Sequence, residues 1–89
     1  MFVYYVYILE VIDKSGKKMF YTGYTNDPLR RLHEHRNGVG AKFCRGKKGI
    51  KLKYLEVLSN RKDAMKRELE IKSFSRQEKR ELIKSINNN

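Results

Sequence analysis

Cysteine, proline and tryptophan are scarce in this chain of 89 residues, which has one cysteine, one proline and no tryptophan. Because Cys44 stands alone, an intrachain disulfide framework and a Cys-x-x-Cys metal site are both excluded. A chain without disulfides fits a reducing compartment, so we expect a cytoplasmic protein. We interpret Cys44 as a bystander and not as a nucleophile, because the sequence pairs no obvious base with it.

Long hydrophobic runs are lacking as well. No stretch approaches the ~18 apolar residues that a membrane helix needs, so we expect no contact with a membrane interior. The apolar segment 1–12 contains Glu10 and four aromatic residues, without a basic leader or a small-residue cleavage site. This segment therefore predicts a β-strand and not a signal peptide.

Acidic residues are few compared with basic ones. The chain has 21 Lys and Arg against 10 Asp and Glu, which gives a formal net charge of +11. Such a charge repels itself in a compact chain and usually indicates a polyanionic partner. Nucleic acid is the leading candidate and an acidic membrane surface is the second, while a basic surface without a ligand is the alternative.

The order of local patterns predicts an α+β fold, with strands and helices in the order β-β-α-β-α-α. Strands are expected at residues 2–12, 19–25 and 52–58, and helices at residues 28–36, 61–73 and 75–86. The first strand is apolar on both of its faces, which predicts a central position in a three-stranded, mainly antiparallel sheet flanked by three helices. We assign residues 1–86 to one domain and residues 87–89 to a disordered tail.

Two tyrosines come together in the predicted hairpin. If residues 13–15 or 13–16 form its turn, Tyr7 lies opposite Tyr21 or one residue away from it. Tyrosine in a strand more often serves packing between strands than chemistry, and both interpretations stay open here.

The first helix carries two basic side chains near the edge of the predicted core. At ~100° per residue, Leu29 and Leu32 point towards the core, while Arg31 and His35 lie together on one flank and Glu34 faces away. Arg31 and His35 can therefore reach the end of the sheet. The alternative is an ordinary solvated helix face.

A carboxylate falls on the apolar face of the second helix, which comprises Ala64, Met65, Leu69 and Ile71. Glu68 lies near the centre of this face, and Glu70 points almost the opposite way. A core-facing carboxylate is costly unless it is paired or binds a cation. The sequence leaves two alternatives, a structural ion pair with Lys72 or a carboxylate at the edge of a cleft.

The segment 39–50 is predicted to be a basic loop that can follow a phosphate backbone. The residues expected to bind nucleic acid are Lys42, Arg45, Lys47, Lys48 and, from the second helix, Lys72.

From Tyr5 to about Ile83 the chain resembles the GIY-YIG endonuclease superfamily, and most closely its small stand-alone bacterial members. Tyr5-Val6-Tyr7 and Tyr21-Thr22-Gly23 are similar to the two namesake motifs. The strand-to-helix segment 22–35, the loop 38–46 and the helix segment 67–72 also match, in the right order. The sequence departs from the family at Tyr5, where the namesake motif has glycine, and at Thr22, where it has isoleucine. The family's downstream asparagine has no counterpart.

The resemblance implies catalytic roles for Tyr7, Tyr21, Arg31, His35 and Glu68. Glu68 matches the family's metal ligand for one divalent ion, Mg²⁺ or Mn²⁺, and Arg31 matches an arginine that binds phosphate. His35 is expected to contact a phosphate or to share in proton transfer. Tyr7 is expected to orient or deprotonate the attacking water, and Tyr21 to position the water or the phosphate.

The sequence and the resemblance together predict a metal-dependent DNA endonuclease of low sequence specificity, associated with the nucleoid and with DNA repair or recombination. Branched, nicked and single-stranded DNA are candidate substrates. The alternative is a catalytically weak or silent DNA- or RNA-binding module, since charge alone does not separate RNA from DNA. We expect a monomer or a weak dimer.

Overall fold

The computed structural model describes residues 3–87. Its elements are β1 (Tyr4–Ile12), β2 (Lys18–Thr25), α1 (Pro28–Arg36), a short 3-10 helix (Lys42–Cys44), β3 (Gly49–Leu58), α2 (Arg61–Lys72) and α3 (Arg76–Asn87). The strands form one sheet in the order β2-β1-β3, and both pairings are antiparallel. The predicted α+β fold and the order of its main elements are confirmed.

Strand β1 is central, as its two-sided apolar pattern predicted. Val6 and Ile8 point into one hydrophobic cluster, which α2 and α3 cover through Ala64, Ile71 and Ile83. Alternate residues of the same strand, Tyr7, Leu9 and Val11, point into a second cluster, which the segment from α1 to β3 covers through Leu32, Ala41, Cys44 and Ile50. A strand buried on both faces cannot alternate with polar residues, which explains its continuous apolar sequence.

The register of the hairpin differs from the predicted one. Tyr7 pairs with Gly23, and Tyr21 pairs with Leu9, so the two tyrosines are diagonal neighbours on one face. The difference arises because Asp13 does not belong to the loop but pairs with Lys17, donating its backbone N–H to the Lys17 carbonyl at 3.0 Å. The Asp13 side chain also accepts hydrogen bonds from Ser15 and from the Lys17 amide.

Helix α1 begins and ends where its sequence predicted, but its buried face differs. The Asp27 side chain caps the helix by accepting from the Arg30 amide at 3.1 Å, and Pro28 occupies the first turn. Leu29 was predicted to face the core and is instead 75% exposed. The buried stripe runs through Leu32 and His35, because α1 rests on the sheet through its C-terminal half.

The remaining boundaries agree with the prediction to within one residue, except at the start of β1, at the start of β3 and at the C-terminus. Strand β1 begins at Tyr4, and Val3, which was predicted to belong to it, lies outside the strand. Strand β3 begins at Gly49, three residues before its predicted start at Leu52, and a bulge interrupts its pairing at Ile8/Leu9. Asn87, predicted to begin the tail, is the last residue of α3. Met1 and Phe2, and the rest of the predicted tail, lie outside the described residues. Within residues 3–87, no helix has the length and apolar character needed to cross a membrane.

Candidate active site

A cleft of about 310 Å³ opens between the β1–β2 hairpin, α1 and α2. Its lining residues are Tyr7, Tyr21, Gly23, Tyr24, Thr25, Arg30, Arg31 and Glu68. Four of the five residues predicted to be catalytic thus line one cavity, and they come from four different elements. The fifth, His35, lies behind Tyr7.

The Tyr7 side chain crosses the face of β2 at Gly23. A Cβ atom on Gly23 would lie 2.6 Å from Tyr7 Cζ, so any side chain there would displace the ring. The Tyr21 ring lies on the same face, with its centroid 6.4 Å from that of Tyr7. The space that a side chain at position 23 would occupy is filled by the phenol of Tyr7.

His35 is buried, with 1% of its surface exposed, and its hydrogen bonds fix its tautomer. The Ala41 backbone N–H donates to His35 Nδ1 at 3.0 Å, so Nδ1 carries no proton. The proton therefore resides on Nε2, which lies 2.9 Å from Tyr7 Oη and donates to it. Gly40 permits this arrangement, because a Cβ there would lie 2.5 Å from Nδ1.

Burial dominates the protonation of both members of this pair. Burial raises the pKa of Tyr7 to about 12, although the neighbouring Arg31 lowers it in part. Burial also lowers the pKa of His35, and the positive charge of Arg31 adds to this effect. At neutral pH the site therefore contains a phenol and a neutral imidazole.

Arg31 lies at the rim of the cleft and is paired with a carboxylate. Its Nη1 is 3.0 Å from Glu34 Oε1, and the two side chains are 37% and 33% exposed. The two residues lie three positions apart on the helix, which places their long side chains within reach of each other. A phosphate entering the cleft would compete with Glu34 for the guanidinium.

Glu68 faces the cleft with a side chain that is only 15% exposed. It lies between the buried residues Ala64 and Ile71 of α2, whereas Glu70 is 57% exposed and pairs with Arg67. Lys72 Nζ lies 3.6 Å from Glu68 Oε1. Both alternatives for Glu68 thus hold at once, since it lines the cleft and has a lysine partner.

The inward face of α2 is narrower than predicted. Met65 and Leu69, which were assigned to it, are 40% and 65% exposed. Ala64, Glu68 and Ile71 turn towards the sheet at intervals of four and three residues. Arg67 turns towards it as well, since it bonds the Glu56 carboxylate of β3.

The donor set of the cleft fits a hydrated Mg²⁺ or Mn²⁺. Within residues 3–87 no group of three or more His, Cys, Asp and Glu side chains is positioned to hold a metal ion. Mg²⁺ in enzymes that act on phosphates is commonly held by one or two carboxylates, with waters and phosphate oxygens as the other ligands. Glu68 can supply that carboxylate, since its contact with the half-exposed Lys72 is a single ion pair at 3.6 Å.

The basic loop lies beside the cleft and carries an aromatic residue that the sequence reasoning missed. Lys42, Arg45 and Lys48 are exposed, and Lys47 is half-buried over the ring of Phe43. The Phe43 ring stacks on Tyr21, which lines the cleft. An aromatic residue within a run of cations was the signal available in the sequence. The cleft residues Tyr24, Thr25 and Arg30 and the supporting Gly40 were also missed.

Comparisons with known proteins show what the chain is similar to. The family model of the GIY-YIG catalytic domain matches residues 3–81. A UPF0213 protein of Haloquadratum walsbyi is 46% identical over 79 residues, covering 89% of this chain and 84% of that protein. A UPF0213 protein of Clostridium perfringens is 44% identical over 81 residues, covering 91% and 83%. The solution NMR structure of a UPF0213 protein from Bacillus halodurans is 40% identical, with a TM-score of 0.53, covering 92% of this chain and 83% of that one.

The His35 hydrogen bonds predict a loss of stability at acid pH. Burial, and after it the positive charge of Arg31, lowers the pKa of His35. A protonated His35 would also present an N–H to the Ala41 N–H in place of the present hydrogen bond. The stability that neutral His35 contributes is present above about pH 6.5 and is lost as the pH falls through its lowered pKa. We expect the free energy of unfolding to fall by up to ~1.4 kcal/mol per pH unit in this range.

Urea denaturation between pH 5 and 8 measures this effect. His35→Asn is the control, because its Oδ1 lies at the position of Nδ1, can accept the Ala41 N–H and does not titrate. His33 is common to both proteins and cancels. Identical pH slopes for the two proteins would contradict a lowered pKa of His35 in the folded state.

Proposed function

The chain belongs to the GIY-YIG catalytic domain family, in company with the UPF0213 proteins, and we propose that it is a metal-dependent DNA endonuclease of low sequence specificity. The observation that carries this proposal is the convergence of Tyr7, Tyr21, Arg31 and Glu68 on one cleft in a chain with a net charge of +11. A tyrosine pair, an arginine and a single carboxylate combine a proton-handling group, a phosphate-binding group and a metal ligand in one cavity.

Glu68 is the residue that would hold the metal. A bound Mg²⁺ or Mn²⁺ would supply Lewis-acid stabilisation of the charge that develops on the phosphate and on the leaving oxygen. The ion pair with Lys72 lowers the cost of burying the Glu68 carboxylate in the free protein.

Arg31 is proposed to bind a non-bridging phosphate oxygen. A guanidinium can donate two parallel N–H bonds to two oxygens of one phosphate. Because Arg31 is half-buried, this interaction is stronger than the same interaction in bulk water. Its partner in the free protein, Glu34, is on the same helix and can release Arg31 without any movement of the backbone.

Tyr7 is proposed to orient the attacking water as the phenol, and to take the proton of that water as the phenolate, after its own proton has passed to solvent. The His35 Nε2–H donates to Tyr7 Oη, which leaves the phenol's own proton free to point into the cleft. His35 is buried behind the ring, so we assign it the role of a positioning residue that also stabilises negative charge on the phenol oxygen. Tyr21 would hold the water or the phosphate from the other wall of the cleft.

A second candidate function is a nucleic-acid-binding module with little or no activity. The observation that favours it is the pKa of Tyr7, which burial raises to about 12, so that its phenolate is rare at neutral pH. Metal-dependent nicking of DNA separates the two functions, and competition between DNA and RNA tests the substrate class.

Glu68→Gln decides the function most directly. The neutral amide binds Mg²⁺ poorly, so we expect cleavage of plasmid DNA to fall by ~10² or more. DNA affinity in the absence of metal should be unchanged or improved, because a negative charge near the phosphate is removed. Glu70→Gln is the matched control, since its carboxylate is exposed and directed away from the cleft, and it should behave as wild type.

A purely structural role for Glu68 makes a different prediction. In that case Glu68→Gln and Lys72→Met would lower the melting temperature by similar amounts and leave cleavage by the folded protein intact. Full nuclease activity in a folded Glu68→Gln protein would rule out the metal-ligand role.

Arg31→Ala should reduce the cleavage rate more than it reduces DNA affinity. One positive charge among 21 adds little to binding, whereas an arginine on the reacting phosphate contributes ~10² or more in rate. Single-turnover rates and binding constants on the same duplex measure the two effects. Arg30→Ala, one position away at the rim, is the control for lost charge. Equal losses of rate and affinity in Arg31→Ala would reduce Arg31 to a binding residue.

The basic loop should determine the salt dependence of DNA binding. Neutralising Lys42, Arg45, Lys47 and Lys48 together should flatten the slope of log affinity against log salt by about one unit for each lost phosphate contact. The matched control neutralises four cations of α2 and α3: Lys62, Lys66, Arg80 and Lys84. An unchanged slope in the loop variant, or an equal change in the control, would remove the loop from the binding surface.

A further inference from the structure

Phe43 is a large apolar side chain that remains 41% exposed beside the cleft. It belongs to the short 3-10 helix. The residue that follows it, Cys44, is buried in the core and anchors this helix to the sheet. The backbone that carries Phe43 is therefore fixed, while its ring projects from the protein. Exposure alone does not mark a binding residue, since Leu29 and Val39 are more exposed than Phe43. What distinguishes Phe43 is its position next to the cleft and among cations.

The Phe43 ring continues the wall of the cleft towards solvent. It stacks on Tyr21 with the ring centroids 5.9 Å apart and the planes inclined by 23°. Tyr21 is itself a lining residue of the cleft, so the Phe43 ring packs directly against the cleft wall. A nucleotide with its phosphate in the cleft would bring its own base near Phe43.

Cations surround this ring. Lys47 Nζ lies 5.3 Å from the Phe43 centroid, and the exposed residues Lys42 and Arg45 flank Phe43 in the sequence. An aromatic surface combined with a cationic rim is the combination that binds a base by stacking and its backbone by charge. Lys47 is a flexible side chain that can move from the ring to a neighbouring phosphate.

We propose that Phe43 stacks on an unpaired base next to the scissile phosphate, so that the preferred substrate has an unpaired nucleotide at the cleavage position. In a continuous duplex both faces of each base are already stacked, and a base must be extruded before it can reach the ring. Single strands, bulges, gaps and flaps offer such a base without that cost. The part of this inference that concerns the cleavage position rests on the proposed nuclease function. The stacking of a base on Phe43 does not depend on it.

The chain's lack of tryptophan makes stacking directly measurable. Phe43→Trp introduces the sole indole at the proposed platform, and a base stacked on it should quench its fluorescence. Titrations use metal-free buffer with EDTA and two unlabelled DNAs, a duplex with one central unpaired nucleotide and the same duplex fully paired. Ile86→Trp, which places an indole on an exposed position of α3, is the control for quenching caused by binding alone.

We expect strong quenching of Phe43→Trp by the bulged DNA, weak quenching by the paired duplex, and equal small effects of both DNAs on Ile86→Trp. The wild-type protein should bind the bulged DNA roughly tenfold more tightly than the paired duplex. Phe43→Leu should lose this tenfold preference and bind the paired duplex with the affinity of the wild type. Leucine keeps an apolar contact with Tyr21, so a role in packing alone would leave both affinities unchanged.

The proposal is overturned if the two DNAs quench Phe43→Trp equally, if Phe43→Leu retains the preference, or if Phe43→Leu loses affinity for both DNAs alike. The quenching measurement stands by itself if Phe43→Leu fails to fold. Because no metal is present, these results are independent of cleavage. Base stacking without nicking in Mg²⁺ would disprove the nuclease function alone, and nicking without stacking would disprove the platform alone.

Discussion

The buried hydrogen bond between His35 and Tyr7 is the interaction on which the arrangement of the cleft depends. It joins α1 to the central strand, and the second nitrogen of the same imidazole accepts the Ala41 N–H at the start of the basic loop. One side chain thus ties together the helix that carries Arg31, the strand that carries Tyr7 and the loop that carries Phe43. Two glycines make the contact possible, because a Cβ at Gly23 or Gly40 would collide with these rings.

The two charged groups that the proposed chemistry needs, Arg31 and Glu68, each form an ion pair in the free protein. The partner in each pair has no role in that chemistry. Arg31 is held by Glu34, and Glu68 is held by Lys72. The side chains of Arg31 and Glu34 are 37% and 33% exposed, and pairs of this kind contribute little to stability, so exchanging Glu34 for a phosphate costs little. Glu68 is only 15% exposed, and a metal ion in place of Lys72 would keep its carboxylate paired. The pairs keep the side chains directed towards the cleft while the substrate is absent.

Local signals in the sequence predicted the helices and strands of this fold. Long-range contacts decided the hairpin register and the buried face of α1, which local signals did not predict. The cap at Asp27, the capping box of Ser75 and Glu78, and the two-sided apolarity of β1 depend on neighbouring residues and were predictable. The register of the hairpin turned on whether Asp13 paired with Lys17 or entered the loop, which composition cannot decide. The exposure of Leu29 and the burial of His35 followed from where α1 lies on the sheet.

Candidate site residues were predictable only in part for the same reason. Glu68 was identifiable because a carboxylate on an apolar helix face needs an explanation, and the family motifs indicated Tyr7, Tyr21 and Arg31. The contact of Tyr21 with Phe43 joins residues from distant parts of the chain, and periodicity within one element carries no information about it.

The aromatic residues of the site form a series that runs from the core to the surface. His35 is 1% exposed, Tyr7 is 3% exposed, Tyr21 is half-buried and Phe43 is 41% exposed. At the inner end, low exposure fixes one tautomer and one ring position, which proton transfer requires. At the outer end, solvent access allows a ligand to displace water and the Lys47 side chain. The Tyr21 ring contacts three other rings, those of His35, Tyr7 and Phe43, with centroid separations of 5.3, 6.4 and 5.9 Å. Because Tyr21 packs against the buried His35 and Tyr7 on one side and against Phe43 on the other, the position of Phe43 depends on that of the buried pair. A nucleotide bound at the outer end would therefore be held in register with the phenol at the inner end by packing alone.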